Sequence, residues 1–258
     1  MGISDAGRTA PAAARALCEK GIFMVESIQA ACRTLDGLEA PVFAPPSSRA
    51  RHWLSLWPLE TIPDWGLSGD RQLRVYRCAV QALLQSQSGQ ALEEAKPVDA
   101  LPQDKIPEAC LGAMELGAGA LMQLAARLGA ILGGADAALE QTLADFGKSF
   151  GVAFQMFQDI NAPSTVLASR RPGWVWAVAA QYSSAEDFAA FRGAIQLLPH
   201  PQAVDQWLHQ QALHVRAKSL AIDYLNGAFD PLEDRLGATQ SNVWVRELAL
   251  KLRQAVAS

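Results

Sequence analysis

Apolar residues recur three and four positions apart along nearly all of the chain, and alternating runs never last more than a few residues. That period predicts helices over residues 11–35, 70–95, 108–132, 136–161, 174–181, 185–197, 201–229 (straight or kinked) and 241–256. The breaks carry their own signals. Asp36-Gly37 ends the first helix, Lys96-Pro97 the second, and Gly133-Gly134-Ala135-Asp136 joins the third to the fourth. Pro163 blocks continuation of the fourth, and Ser184 followed by Asp187 marks a helix start. Residues 38–69, with five prolines and three tryptophans, read as irregular. The pattern predicts an all-α fold forming a single domain over 1–258, with residues 1–10 frayed.

Composition narrows the function. A chain of 258 residues that is 50% hydrophobic can bury a large core, and a net charge of -4 disfavours a nucleic-acid partner. Arg71, Arg74 and Arg77 form a helical basic stripe, which fits a solvated face. Cys18, Cys32, Cys78 and Cys110 match neither zinc spacing nor a disulfide framework, and His52, His200, His209 and His214 show no metal spacing. The most apolar window, 111–134, contains Glu115 and Arg127, so it is read as buried helix and not as a membrane span. The first residues lack the apolar core of a signal peptide, and the expected location is cytoplasmic.

The densest chemistry lies in 119–162. A small-residue helix beginning Gly119-Ala120-Leu121-Met122 precedes a second helix containing Phe154-Gln155-Met156-Phe157-Gln158-Asp159-Ile160. Lys148, Gln155 and Asp159 make a polar stripe on that helix, beside an apolar one of Leu143, Phe146, Phe150, Phe154 and Phe157. A core helix with one wet face explains the stripes alone. The order of residues adds more: it resembles the trans-polyprenyl diphosphate synthase family, where a GALF-type helix precedes a helix reading roughly LGLAFQxxDDxxD.

Other elements fit the same resemblance. Gly89-Gln90-Ala91-Leu92-Glu93 is similar to a GQxxD element, with Glu93 in place of Asp. Arg49-Ala50-Arg51 stands where the family has an RxR that binds diphosphate, although Pro46, Ser47 and Ser48 replace its glycines and lysine. Gly117-Ala118 falls at a diphosphate-binding Lys-Thr, and Arg170-Arg171 stands near a later lysine. Gln158 and Ala162 replace the first and last acids of the DDxxD. No first Asp-rich motif fits between residues 51 and 70.

The resemblance implies an isoprenoid-synthase-type helical bundle around a central apolar cavity. It implies a prenyl diphosphate or other isoprenoid as ligand, and Mg²⁺ that the missing acids leave weakly held or absent. Asp159, Gln155 and Gln158 are the candidate catalytic residues, Asp159 and Glu93 the candidate metal ligands. Arg49, Arg51, Gln90, Phe154, Phe157 and Leu121 are the candidate substrate contacts. The expected assembly is a homodimer, or a heterodimer with an active synthase. Two functions follow. One is an atypical enzyme that transfers or cyclises a prenyl diphosphate through a reduced metal site. The other is a catalytically silent homologue that binds an isoprenoid chain or regulates an active synthase. Persistence of Gln155, Gln158 and Asp159 at a wet cavity mouth favours the enzyme.

Overall fold

The protein is described from a computed structural model, covering residue 59, residues 62–198 and residues 200–236. The expected helices at 11–35 and 241–256 lie outside these residues, as do Arg49 and Arg51. Among the described residues there is no strand, and the all-α class holds.

The helices are α1 (Gly69–Ala95), α2 (Ile106–Met114), α3 (Ala120–Gly133), α4 (Ala137–Asn161), α5 (Pro163–Ser169), α6 (Trp174–Tyr182), α7 (Ala185–Ile195), α8 (Gln202–Gln210) and α9 (Leu213–Leu236). Short 3₁₀ turns occupy Ile62–Trp65, Val98–Ala100 and Gln103–Lys105. Three details depart from the expected pattern. The 108–132 helix is interrupted by a π-helical segment, Glu115–Gly119, between α2 and α3. Pro163 does not merely stop α4; it occupies the first turn of α5, where a missing N–H costs nothing. The expected 201–229 helix is two helices, broken where Ala212 adopts a left-handed φ of 47°, and α9 continues past Pro231.

The joint between α3 and α4 follows the sequence signal. Gly134 takes φ 74°, which a side chain would resist. Its N–H reaches the Ile131 carbonyl at 3.2 Å, while Ala135 N–H reaches that of Ala130 at 2.9 Å. The Asp136 carboxylate then accepts from Leu139 N–H at 2.7 Å and opens α4. At α7 the expected cap is present, with Ser184 Oγ accepting from Asp187 N–H at 3.1 Å.

The chain divides into two units. One comprises the described residues up to Leu84 together with Leu121–Gly147. Its core joins Ile62, Val75, Ala79 and Ala82 to Leu124, Leu128 and Ile131. Arg74 and Arg127 both pair with Glu140, so part of the basic stripe is engaged.

The other unit comprises Gln85–Ala120 and Lys148 onward. Here α6 is the central helix: every residue from Val175 to Ala180 is buried, as an all-apolar segment requires. It packs on α2, α5, α7 and α9. Trp176 meets Phe191 edge to face at 5.2 Å between ring centroids, and Phe191 lies tilted against Trp207 at 4.4 Å. Gln103 ties the preceding turn to α6 by donating to the carbonyls of Ala180 and Ser183.

The stretch Gln103–Gly133 has the length and composition to cross a bilayer. Its Glu115 is ion-paired with Lys148 at 2.6 Å, and Arg127 pairs with Glu140 at 3.7 Å.

Phe157 is 9% exposed and Phe154 37% exposed, whereas Phe146 and Phe150 are half-buried. Burial along this stripe is therefore graded. Phe157→Ala is expected to cost about 3–5 kcal/mol, the scale of a deleted core aromatic. Phe154→Ala should cost under about 1 kcal/mol, as for surface changes. Urea unfolding of the two variants separates them; equal losses would contradict the assigned burial.

Candidate functional site

The C-terminal half of α4 supplies the centre of the site. Gln155 and Asp159, one helical turn apart, share a face, and Gln155 Nε2 donates to Asp159 Oδ1 at 2.8 Å. The other carboxylate oxygen, Oδ2, accepts from the backbone N–H of Trp174 at 2.7 Å. Trp174 is the first residue of α6, and its N–H belongs to the donors that a helix start leaves without an internal partner. Asp159 therefore caps α6 from a neighbouring helix, in a position where the helix dipole also favours a negative charge.

Gly173 makes this approach possible. A Cβ there would stand 2.6 Å from Val166 Cγ1 and 2.9 Å from Asp159 Oδ2. The turn before it is fixed by Arg170, which takes a left-handed φ of 53° at the end of α5. Its guanidinium reaches Asp99 at 3.5 Å and Gln196 at 2.9 Å, and its carbonyl accepts from Val98 N–H at 3.0 Å.

Asp159 is 3% exposed. Burial pushes its carboxyl above the ordinary aspartate range, against the opposing pull of the Trp174 and Gln155 hydrogen bonds. This corrects the expectation of a wet cavity mouth: the Gly173–Trp174 backbone closes over the carboxylate. Beside it, burial pushes the Cys110 thiol up to about 12, so that cysteine is an inert core residue.

A cavity of about 280 Å³ opens next to this cap. Glu93 from α1, Gln155 and Asp159 from α4, and Ser169 and Arg171 around the α5–α6 turn supply its polar wall. Ala113 and Met114 of α2, Gly117 and Ala118 of the π segment, Val166 and Pro172 supply the rest. Sequence reasoning thus brought three of its site residues, Glu93, Gln155 and Asp159, to one place. Gln158 lies apart from them: it is exposed and absent from this wall, because it falls a hundred degrees round the helix from Asp159. Gln90 is also exposed, Leu121 is half-buried, and Phe154 and Phe157 do not line this cavity.

What the sequence did not single out is the Pro172-Gly173-Trp174 turn. Its signal was a glycine between a proline and an apolar helical run, a helix-start signature. Ser169, Val166 and Met114 had no signal of their own.

The Mg²⁺ implied by the resemblance can be tested against these donors. Among the described residues, no three Asp, Glu, His or Cys side chains converge. Both oxygens of the one acid kept from the DDxxD, Asp159, already accept hydrogen bonds. Among the described residues, Glu93 is the one other acid in the cavity wall. Mg²⁺ demands near-octahedral oxygen ligation, and this donor set does not fit a cluster of such ions.

No family model matches the chain. The chain is 33% identical over 101 residues, 38% of its length, to the geranylfarnesyl diphosphate synthase of Aeropyrum pernix. That match spans 30% of the relative. Among solved structures, the geranylgeranyl pyrophosphate synthetase of Pyrococcus horikoshii matches with a TM-score of 0.64 at 18% identity, covering 96% of this chain and 80% of that one. The decaprenyl diphosphate synthase of Rhodobacter capsulatus matches with a TM-score of 0.57 at 19% identity, covering 71% of this chain and 60% of that one. At these identities the structures speak for the fold. Along most of its length the chain thus shares the fold of these solved polyprenyl synthases, and over that segment of 101 residues its sequence is similar to a geranylfarnesyl diphosphate synthase, of which it spans under a third.

Proposed function

We propose that this chain is a catalytically silent synthase homologue that binds an isoprenoid chain, and that it works alone or beside an active prenyl diphosphate synthase. The observation that carries this reading is the engagement of Asp159. The acid that would face a metal–diphosphate centre accepts from Trp174 N–H and Gln155 Nε2 in a buried setting. Its persistence, and that of Gln155, then has a structural cause. The argument that favoured an enzyme, polar residues kept without another reason, loses its force.

Ionising a prenyl diphosphate requires positive charge on the leaving group, supplied in advance by fixed cations. Gly117 and Ala118 offer none at the positions of the Lys-Thr, and among the described residues Arg171 is the one cation of the cavity wall. The enzyme reading retains one supporting observation: Glu93, Gln155, Asp159 and Arg171 meet in a single cavity.

The deciding experiment incubates the protein with geranyl, farnesyl and geranylgeranyl diphosphates, with and without Mg²⁺ and isopentenyl diphosphate, followed by mass spectrometry. The expected result is neither elongated nor cyclised product, together with ligand-induced thermal stabilisation that Mg²⁺ does not increase. Mg²⁺-dependent turnover would restore the atypical enzyme. Homodimer and heterodimer are separated by sedimentation of the protein alone and mixed with an active synthase.

A further inference from the structure

The turn between α5 and α6 carries Ser169, Arg171 and Pro172 of the cavity wall, and its far end brings the Trp174 N–H onto Asp159. It is tied to itself. Ser169 Oγ donates to the Val166 carbonyl at 2.7 Å, and Arg170 N–H to that of Leu167 at 3.2 Å. Ala168, Ser169, Arg170 and Arg171 are all exposed, between a buried Leu167 and a buried Gly173. No buried side chain pins the stretch between those two anchors. Segments with little buried apolar surface open at a lower free energy than the core around them.

What fastens the turn is polar and converges on one residue. The Arg170 guanidinium reaches Asp99 at 3.5 Å and Gln196 at 2.9 Å, and its carbonyl accepts from Val98 N–H at 3.0 Å. The base is fixed, because Val98 is fully buried. The fastening is not: the Arg170 side chain is 44% exposed, so water and salt weaken its ion pair. Arg170 also holds a left-handed φ of 53°, which costs any residue that carries a Cβ. Once its contacts are lost, the backbone gains by leaving that conformation.

We propose that this turn is a flap latched by Arg170, whose release widens the cavity and frees the Asp159 carboxylate from Trp174. Arg170 is then a positioning residue, since it is not itself part of the cavity wall. The flap governs access, so it holds whichever ligand the cavity takes.

Hydrogen exchange of the full chain, followed residue by residue by NMR, tests this without a ligand. Val98 N–H and Trp174 N–H lose their acceptors when the flap lifts, and Ala180 N–H, within buried α6, is the reference. Val98 and Trp174 are expected to exchange through one shared opening, about a hundredfold faster than Ala180. Arg170→Ala should speed both about tenfold, for the loss of an exposed ion pair and a charged hydrogen bond, and leave Ala180 within about twofold. Rising NaCl should speed both in the wild type and neither in Arg170→Ala, a response that a residue of general structural importance would not give.

Exchange of Val98 and Trp174 as slow as that of Ala180 would leave no flap. An Arg170→Ala effect that Ala180 shares equally, or no response of the wild type to salt, overturns the latch. If Arg170→Ala does not fold, Gln196→Ala removes one exposed partner of the latch and should speed both amides about threefold. Unchanged exchange in that variant also overturns the proposal.

Discussion

Replacing Asp159 by alanine is expected to destabilise the protein by about 2–4 kcal/mol, because two buried donors lose their acceptor at once. Trp174 N–H has no alternative within α6, and Gln155 Nε2 points at the vacated space. Asp159→Asn should cost less. Its carbonyl can still receive Trp174 N–H, while its amide meets a Gln155 side chain that can turn its own oxygen inward. The pH dependence then identifies the carboxyl. Burial raises the folded Asp159 carboxyl above the ordinary aspartate range, so the native state holds that proton to higher pH than the unfolded chain does. Its contribution is fully present below the unfolded pKa and is lost as pH rises through the folded one. Asparagine does not titrate. The stability gap between wild type and Asp159→Asn should therefore be widest in acid and narrow as pH rises beyond the ordinary aspartate range. Urea unfolding at a series of pH values measures it, and a gap that widens with pH would contradict the assigned burial.

This expectation reverses the one that sequence alone supports, and the reason is specific. Helical periodicity places Asp159 on a face but says nothing about which backbone segment closes over that face. The closing segment is the Pro172-Gly173-Trp174 turn, more than a dozen residues onward, held by contacts of Arg170 with Asp99 and Gln196. Such long-range pairings leave no periodic trace. Spacing alone likewise grouped Gln158 with Gln155 and Asp159, yet only the i,i+4 pair meets.

The helices themselves were legible because their ends carry local chemistry. Gly133-Gly134, Asp136 and Ser184 each mark a boundary that the structure keeps. The misses occur where tertiary packing overrides local preference. Ala212 and Arg170 adopt left-handed backbone without being glycine, and no propensity anticipates that. The π segment is similar. Its Gly117 and Gly119 hinted at irregularity, but an extra residue in a helical turn cannot be located from spacing. Gly119 marks a close approach, a Cβ there standing 3.2 Å from Val152 Cγ2, whereas Cβ positions at Gly112 and Gly117 meet nothing within 4 Å.

The glycine that matters most for packing lay in the middle of α4, and Gly147→Ala is expected to lower stability by about 2–3 kcal/mol. A Cβ at Gly147 would lie 2.5 Å from the Met122 carbonyl oxygen and 2.7 Å from Ala126 Cβ. Neither atom belongs to a flexible side chain. Relief requires α3 and α4 to separate, which also loosens the contacts around Leu124 and Leu128, both in the core of that unit. Alanine's better helix propensity offsets only about 0.5–1 kcal/mol of this. Gly112→Ala is the matched control. It also sits within a helix, yet nothing lies within 4 Å of its Cβ position, so propensity acts alone and should stabilise by up to about 1 kcal/mol. Thermal unfolding should show the two substitutions moving in opposite directions, Gly147→Ala downward by roughly 5–10 °C for a chain of this size. A neutral or stabilising Gly147→Ala would mean that the helices approach less closely than the backbone of α3 and α4 indicates. Equal losses at both positions would remove close packing as the cause.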